Sequence, residues 1–363
     1  MLKRLTLMVP ILLGAAVARA DVTIGVALPR TGSFASVGDQ VLNGVQEAAK
    51  LINDKGGVLG QRVALDVEDD ACDPRQAVSV ANRLVVAGVR LVVGHVCSGA
   101  SMAASDVYNE NGVVMVTPAS NLSKLTERGM AEVFRVCGRD DRQGLFAAQV
   151  IAQRWGKDRI AILHDNQAFG RGLAEATRDN LHQLGVQEML FDSITPGERD
   201  YRSVISRLKQ AGVQLVYYGG YQQEMGLLVR QAAEQGLAAQ WFGTSGISTT
   251  EFAQIAGPAG NGVLFTFNPD PRKAPEAAPV VAAFKARGID PLGFTLYGYA
   301  SVQVLAEAVA KAGSADPGRV AATLHAEVFE SVLGPARFDA KGDIEAPGYR
   351  LYVWKDGAFD YAP

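Results

Sequence analysis

Short apolar runs alternate with longer segments of helical periodicity along most of the chain. Between residues 22 and 267, the runs with strand character are VTIGVAL, VALDVED, LVVGH, VVMVTPA, RIAILHD, MLFDSI, LVYYGG and GVLFTF. Helical patterns follow the first four runs, at residues 39–53, 75–87, 100–110 and 122–128. Strand-helix alternation over this length predicts the α/β class, with parallel sheets that are flanked by helices.

An internal repeat divides this pattern into two parts. RLVVAGVRLVVGH at residues 83–95 matches RLKQAGVQLVYYG at residues 207–219 in the pairs Arg-Leu and Leu-Val, in the triplet Ala-Gly-Val and in a glycine after the strand. We therefore expect two similar lobes, although two common helix-turn-strand units can also match by chance. If the lobes face each other, Ser98 and Tyr221 look across a shared cleft.

The pattern changes in the last quarter of the chain. Residues 276–287, 294–312 and 317–325 have helical patterns with little strand between them, and the runs ARFD and YRLYVWKDG close the sequence. Because these helices follow the second lobe and need a surface to pack on, we expect them to return to the first lobe.

The N-terminus is typical of a secretory signal peptide. Lys3 and Arg4 precede an apolar run at residues 5–17, and the tripeptide ARA at residues 18–20 supplies a cleavage site. A membrane anchor needs about twenty apolar residues, and this run is shorter. We expect residues 1–20 to be removed and the mature chain to be periplasmic.

The charge and size of the mature chain narrow the possible functions. Cleavage removes three basic residues and leaves 32 Lys and Arg against 38 Asp and Glu, a formal charge of −6. No cluster of Lys and Arg indicates nucleic-acid binding, and no later apolar run is long enough to span a bilayer. The remaining 343 residues exceed what one core usually supports, which predicts two domains.

The chain has three cysteines, Cys72, Cys97 and Cys137. In an oxidising compartment two of them are expected to pair, and the sequence allows three pairings. If the strands that precede Cys72 and Cys97 are neighbours, both thiols lie at the same sheet edge. This argument favours Cys72 with Cys97 and leaves Cys137 as a buried thiol.

The segment LVVGHVCSGA, residues 91–100, contains the clearest candidate site. An apolar strand breaks at Gly94 into a small polar turn, and a helical pattern follows from Ala100. Free backbone N–H groups and the positive end of the helix dipole meet at such a helix start. Ser98 and Gly99 are therefore placed to hold an anion at the carboxyl end of a parallel strand.

An enzymatic function has weaker support in the sequence. His95, Cys97, Ser98, His164 and Asp165 all follow strands, but Ser98 lacks the glycine flanks of a nucleophile elbow, and no triad can be assembled by role. The four histidines show no metal-ligand spacing, and the GxG at residues 170–172 lacks the third glycine of a dinucleotide site. We expect neither catalysis, nor a metal, nor a cofactor.

Seven segments resemble the leucine/isoleucine/valine-binding proteins, the periplasmic receptors of ABC importers. They are ASVGDQ, INDKGGVLG, DDACDPRQAVSVANRLV, GHVCS, TPAS, VYYGGYQQEMG and FDAKGD, which run from residue 35 to residue 343. The resemblance implies a type I periplasmic binding fold, with two lobes joined by three crossover segments, and it implies the disulfide Cys72–Cys97.

The resemblance also implies a division into domains and a set of partners. The N-terminal lobe is expected to comprise residues 21–139 and 269–348, and the C-terminal lobe residues 140–268 and 349–363. A monomeric receptor of this type binds a small carboxylate by hinge closure and delivers it to an inner-membrane ABC permease. A sensor that presents its ligand to a receptor kinase would use the same lobes, and the sequence does not separate the two partners.

Carried over by position, the resemblance implies a set of ligand-binding residues. The ligand carboxylate site falls on Ser98, Ala119 and the position of Asn121. Tyr221 falls on an aromatic residue that closes over the ligand, and Phe294 falls on an apolar wall.

Three further positions depart from the family pattern. Val37 stands in place of an aromatic residue, Phe169 in place of Tyr, and Ser245 in place of the acid that receives the α-ammonium of the ligand. A branched-chain or other hydrophobic amino acid is therefore one expectation, in which another acid, such as Glu251 or Asp165, or water-bridged carbonyl groups receive the amine. An amine-free hydrophobic or aromatic carboxylate is the alternative, because a buried ammonium needs an acidic partner.

Overall fold

The computed structural model describes residues 21–345 and 348–363 and has the predicted α/β class, with two large sheets flanked by helices. The predicted signal peptide lies outside the described residues. Within the part of the chain that the structure describes, no helix combines the length and apolar character needed to cross a bilayer.

The first lobe is built on a sheet of five strands. Its strands are β1 (Val22–Leu28), β2 (Val63–Asp69), β3 (Leu91–Gly94), β4 (Val114–Thr117) and β5 (Val133–Arg135). The helices between them are α1 (Ala35–Asp54), α2 (Pro74–Val86), α3 (Ser98–Glu110) and α4 (Lys124–Glu127). The strand order is β2-β1-β3-β4-β5 and every pair is parallel. β3 and β4 are buried on both faces, which is why they read as continuous apolar runs.

The second lobe repeats this arrangement. Its helices are α5 (Asp140–Trp155), α6 (Ala168–Gln183), α7 (Arg202–Gln210), α8 (Gln222–Glu234) and α9 (Thr250–Ala256). They alternate with the strands β6 (Ile160–His164), β7 (Leu190–Ser193), β8 (Leu215–Gly219), β9 (Gln240–Gly243) and β10 (Leu264–Phe267). These five strands are parallel, in the order β7-β6-β8-β9-β10.

The tail contributes to both lobes. Its elements are α10 (Ala278–Ala286), α11 (Thr295–Ala312), α12 (Pro317–Ala326), β11 (Val328–Phe329), β12 (Ala336–Arg337), β13 (Arg350–Lys355) and β14 (Ala358–Tyr361). β11 and β12 pair with each other, whereas β13 joins β10 antiparallel and β14 pairs with β13 at the edge of the second sheet. The second sheet is therefore mixed rather than purely parallel.

The internal repeat corresponds to a repeat in the structure. The two parallel cores share one strand order, and the matched segments are the end of α2 with β3 and the end of α7 with β8. β3 and β8 both occupy the central position of their lobe. The expectation of two similar lobes is confirmed.

The tail helices α11 and α12 pack on the first lobe, as expected. α11 lies against α1, β3 and β4, and α12 lies against β4. Two glycines allow α11 to approach α1 closely. A Cβ at Gly44 would lie only 1.9 Å from the Thr295 carbonyl oxygen, and a Cβ at Gly298 would lie only 2.4 Å from the Val41 carbonyl oxygen. The chain thus passes between the lobes three times, after β5, after β10 and before β13. The residue boundaries of the two domains remain a prediction.

Some local expectations differ from the structure. β5, β9, β11 and β14 are not predicted, because runs of two to four residues carry too little periodicity to identify. β2 and β3 are not neighbours, since β1 lies between them. The premise that the strands before Cys72 and Cys97 are neighbours is therefore wrong. The two cysteines nevertheless meet, because the carboxyl ends of all parallel strands in the lobe reach one edge. Cys72 and Cys97 are disulfide-bonded, with Cα atoms 5.4 Å apart, and Cys137 is a buried free thiol.

One buried ion pair attaches the tail to the first sheet. The Arg135 guanidinium on β5 is fully buried, and its Nε donates to Asp343 Oδ1 over 2.7 Å. Its Nη1 donates to the carbonyl oxygens of Ser120 and Leu122 over 3.1 and 2.9 Å. These contacts hold the third crossover segment beside the first, because a buried guanidinium needs several acceptors.

Removal of the disulfide should lower stability. The bond closes a loop with a sequence separation of 25, so the chain-entropy model gives a loss of about 3 kcal/mol in the free energy of unfolding for the Cys72→Ser/Cys97→Ser variant. Urea unfolding followed by circular dichroism measures this loss against the wild type. Mass mapping that finds Cys72 bonded to Cys137, or free thiols at both Cys72 and Cys97, would contradict the assignment.

Candidate ligand-binding site

A pocket lies between the lobes, at the carboxyl ends of the strands. The residues that line it are Val37, Val96, Ser98, Ala119, Phe169, Tyr221, Ser245, Gly246 and Phe294.

The two lobes contribute to this pocket in the same way. In each lobe, the segments that follow three adjacent strands all contribute to the pocket. In the first lobe, the segments after β1, β3 and β4 contribute Val37, Ser98 and Ala119. In the second lobe, the segments after β6, β8 and β9 contribute Phe169, Tyr221 and Ser245. Phe294, next to the start of α11, adds a wall from the tail. A molecule in the pocket therefore touches both lobes at once.

Ser98 is the candidate contact for an anion. It is the first residue of α3, two positions earlier than the sequence pattern predicts, and it is 2% exposed. Its Oγ is buried and has no hydrogen-bond partner among the described residues. The first N–H groups of a helix also lack partners within the helix. The start of α3 thus presents a hydroxyl and backbone donors to the pocket.

The turn that carries Ser98 is fixed by buried hydrogen bonds. The His95 carbonyl oxygen accepts from Thr117 Oγ1 over 2.7 Å and from Ser101 Oγ over 3.1 Å. The His95 ring lies 2.6 Å from Asp70 Oδ2 and 3.1 Å from the Tyr108 hydroxyl. The disulfide at Cys97 anchors the residue directly before Ser98, so the hydroxyl is held in place before a ligand arrives.

Aromatic rings form much of the apolar wall. The Phe169 and Tyr221 rings pack with centroids 4.8 Å apart, and Phe294 packs against Phe267 at 5.1 Å. Burial raises the pKa of the Tyr221 phenol well above its ordinary value, so this side chain is neutral. The wall suits an apolar or aromatic group rather than a second charge.

The pocket brings together seven of the eight residues implied by the resemblance. Asn121 is the exception, since its Nδ2 donates to Gln143 Oε1 over 3.0 Å behind the pocket. Ser245 Oγ lies 3.5 Å from the same Gln143 oxygen, so Gln143 connects Asn121 to a residue of the lining. The ligand-contacting role of each residue remains a prediction.

Sequence analysis missed two lining residues, Val96 and Gly246. Both lie in turns that directly follow a strand end, so a search of every such turn would have found them. Gln143 was missed as well, and it gave no signal, because a buried polar residue in a helix looks like any other helical residue.

No acidic residue lines the pocket within the described part of the chain. Ser245, at the position where the resemblance implies an acid, lines the pocket with an uncharged side chain. Glu251 instead accepts hydrogen bonds from Ser36 and Gln222, outside the lining. Asp165 is fully buried and bonds to the Gln167 backbone N–H over 2.9 Å.

Comparison with known proteins identifies the family. The model of the family described as "Periplasmic binding protein" matches residues 21–358. The chain belongs to the periplasmic binding protein family. Members of this family are solute-binding receptors, which agrees with a pocket between the lobes.

Individual relatives of this periplasmic binding protein match it over nearly their whole length. The Leu/Ile/Val-binding protein homolog 1 of Brucella suis biovar 1 is 45% identical over 340 residues, which cover 93% of this chain and 92% of that protein. An amino acid binding protein of Pseudomonas aeruginosa is 44% identical over 342 residues, covering 93% and 91%. The crystal structure of the leucine-binding protein LivK of Thermotoga maritima superposes with a TM-score of 0.88 at 30% identity, covering 94% and 98%.

Asp165 is a buried acid whose charge is not compensated in this periplasmic binding protein. Burial raises the pKa of its carboxyl from 3.8 to about 7, and the nearby Glu224 adds to the increase. Oδ2 has no hydrogen-bond partner among the described residues. The folded protein therefore binds a proton at Asp165 more tightly than the unfolded chain does.

This shift predicts a pH dependence of stability. Because the pKa of Asp165 is raised in the folded state, its contribution is fully present below pH 4 and is lost as the pH rises through about 7. Relative to Asp165→Asn, the wild type should lose roughly 1.4 kcal/mol per pH unit between these limits. Urea unfolding at pH 5, 6, 7 and 8 measures the difference. Parallel pH profiles for the two proteins would disprove the assignment.

Proposed function

We propose that this protein is the substrate-binding component of an ABC importer and that it encloses a hydrophobic carboxylate between its lobes, a branched-chain amino acid in the first place. The observation that carries the proposal is Ser98 Oγ, which is buried at the N-terminus of α3 without a partner among the described residues, in a pocket whose walls are mainly apolar. A buried hydroxyl without a partner is costly, and a carboxylate oxygen would accept its hydrogen bond.

The walls of the pocket support an apolar ligand. Val37, Phe169 and Phe294 present carbon atoms to this space, so the part of the ligand beyond its carboxylate should be hydrophobic. The two relatives above are named Leu/Ile/Val-binding and amino acid binding, which supports an amino acid.

Hinge closure is the mechanism that fits the two-sided pocket. Ser98 and Ala119 belong to the first lobe, and Phe169 and Tyr221 belong to the second, so only a ligand that touches both sides stabilises the closed form. An anion bound at Ser98 alone would not do so. Export to the periplasm and recognition of the closed form by an inner-membrane permease complete the proposed role, and no catalysis is part of it.

A second ligand class is favoured by one observation, which is the lack of an acid in the described lining. With Ser245 at the position implied for the acid, and with Glu251 bonded elsewhere, a ligand ammonium would be buried without a carboxylate partner. That arrangement costs several kcal/mol. An amine-free hydrophobic or aromatic acid avoids this cost and keeps the contact with Ser98.

A ligand panel separates the two classes. In thermal-shift measurements, leucine, isoleucine and valine should raise the melting temperature, because a ligand at 100 times its Kd stabilises the folded state by about 2.7 kcal/mol. Their 2-keto analogues and benzoate test the amine-free class. If these acids raise the melting temperature more than the amino acids do, the ligand is an amine-free acid. Leucinamide is the control without a carboxylate and should give no shift. Equal shifts from leucine and leucinamide would refute the carboxylate contact.

The Ser98 contact can be tested by substitution. Ser98→Ala removes one hydrogen bond to a charged group and should weaken binding of the best acid from the panel by about 1.5 to 3 kcal/mol, measured by calorimetry. Ser79→Ala is the matched control, since this exposed serine bonds only to the Arg75 carbonyl oxygen of its own helix. Unchanged affinity in Ser98→Ala would mean that the carboxylate lies elsewhere.

A further inference from the structure

Three side chains join the lobes just outside the pocket. Ser36 Oγ on α1 of the first lobe donates to Glu251 Oε2 on α9 of the second lobe over 2.6 Å. Gln222 Nε2, at the start of α8, donates to the same carboxylate oxygen over 2.9 Å. We refer to Ser36, Gln222 and Glu251 as the closure latch.

The closure latch also holds the backbone of the first lobe. Gln222 Nε2 donates to the Ser33 carbonyl oxygen over 2.9 Å, so one amide group contacts both lobes. Gln222 is fully buried, and Ser36 and Glu251 are half-buried. Hydrogen bonds to an ionised carboxylate are stronger than neutral ones, and partial burial limits their competition with water.

The closure latch is attached directly to the ligand pocket. Ser36 precedes the lining residue Val37, and Gln222 follows the lining residue Tyr221. The Tyr221 ring also packs against Phe34 of the first lobe, with centroids 4.4 Å apart. Any movement that opens the latch therefore also lifts Tyr221 away from the pocket.

We propose that Glu251 is a positioning residue that locks Tyr221 over the ligand and sets the rate at which the ligand leaves. This inference rests on the proposed function, because it assumes that the pocket holds a ligand during closure. Glu251 is one of the two acids considered as a partner of the ligand amine. The proposal assigns it to the lobe interface instead. The latch bonds exist only when the lobes are together, so they should affect opening and not the first docking of the ligand.

The first experiment needs no ligand. Dyes on Arg75→Cys and Glu198→Cys report lobe separation by single-molecule energy transfer, because both positions are exposed and follow the corresponding edge strands β2 and β7. The native thiols should not react, since Cys137 is buried and the other two are bonded. Glu251→Ala and Ser36→Ala should each shorten the dwell time of the closed state about tenfold. In the double variant the two effects should not add fully, because both changes remove the bond between Ser36 and Glu251, although Ser36→Ala also removes the contact of Gln222 Nε2 with Ser36 Oγ.

The matched control is Glu234→Ala. Glu234 is an exposed acid of the same lobe, and its ion-pair partner Arg230 lies on the same helix. Its closed-state dwell time should equal that of the parent. Unchanged dwell times in Glu251→Ala and Ser36→Ala would overturn the proposal, and so would an equal change in Glu234→Ala.

The second experiment uses the acid from the panel that stabilises the wild type most. In stopped-flow fluorescence, Glu251→Ala should raise the dissociation rate about tenfold and leave the association rate within twofold. A change confined to the association rate would refute the latch. Shortened dwell times combined with a panel in which no acid binds would support the latch and refute the proposed ligand. Binding of an acid from the panel, combined with unchanged dwell times, would support the proposed ligand and refute the latch.

Discussion

In each lobe, parallel strands bring all their carboxyl ends, and the helix starts that follow, to a single edge. The two edges face each other, so the segments after β1, β3 and β4 meet those after β6, β8 and β9 across the pocket. A pocket at this position receives its polar donors from helix N-termini and its apolar walls from nearby side chains. The ligand site is therefore a consequence of strand direction, and the side chains only select what it binds.

The lobes are held as rigid bodies by buried polar contacts close to that edge. His95 and Asp70 fix the turn before Ser98, and the disulfide ties that turn to the segment after β2. Arg135 and Asp343 hold the tail beside β5. Breaking any of these polar contacts would leave a buried polar group unpaired, so they stabilise the turns at this edge within the first lobe.

The roles proposed in binding and in closure fall to different residues. Ser98 and the aromatic walls face the pocket, whereas Ser36, Gln222 and Glu251 join the lobes outside it. Glu251 is thus engaged at the lobe interface, and the pocket lining is without a negative charge within the described residues. This separation allows the affinity to be adjusted through the latch without changing which ligand fits.

The sequence by itself determined the α/β class, the two similar lobes and the return of the tail helices, and it predicted an anion-binding turn at Ser98. These features follow from apolar periodicity, from the repeat at residues 83–95 and 207–219, and from the chemistry of a helix start, all of which are local. The resemblance supplied most of the pocket lining. Only the tertiary structure decided that β1 separates β2 from β3, that Asn121 lies behind the pocket and that Glu251 contacts Ser36. These facts depend on which distant segments meet, because a side chain's partner is set by the packing of whole lobes and leaves no periodic trace in the sequence.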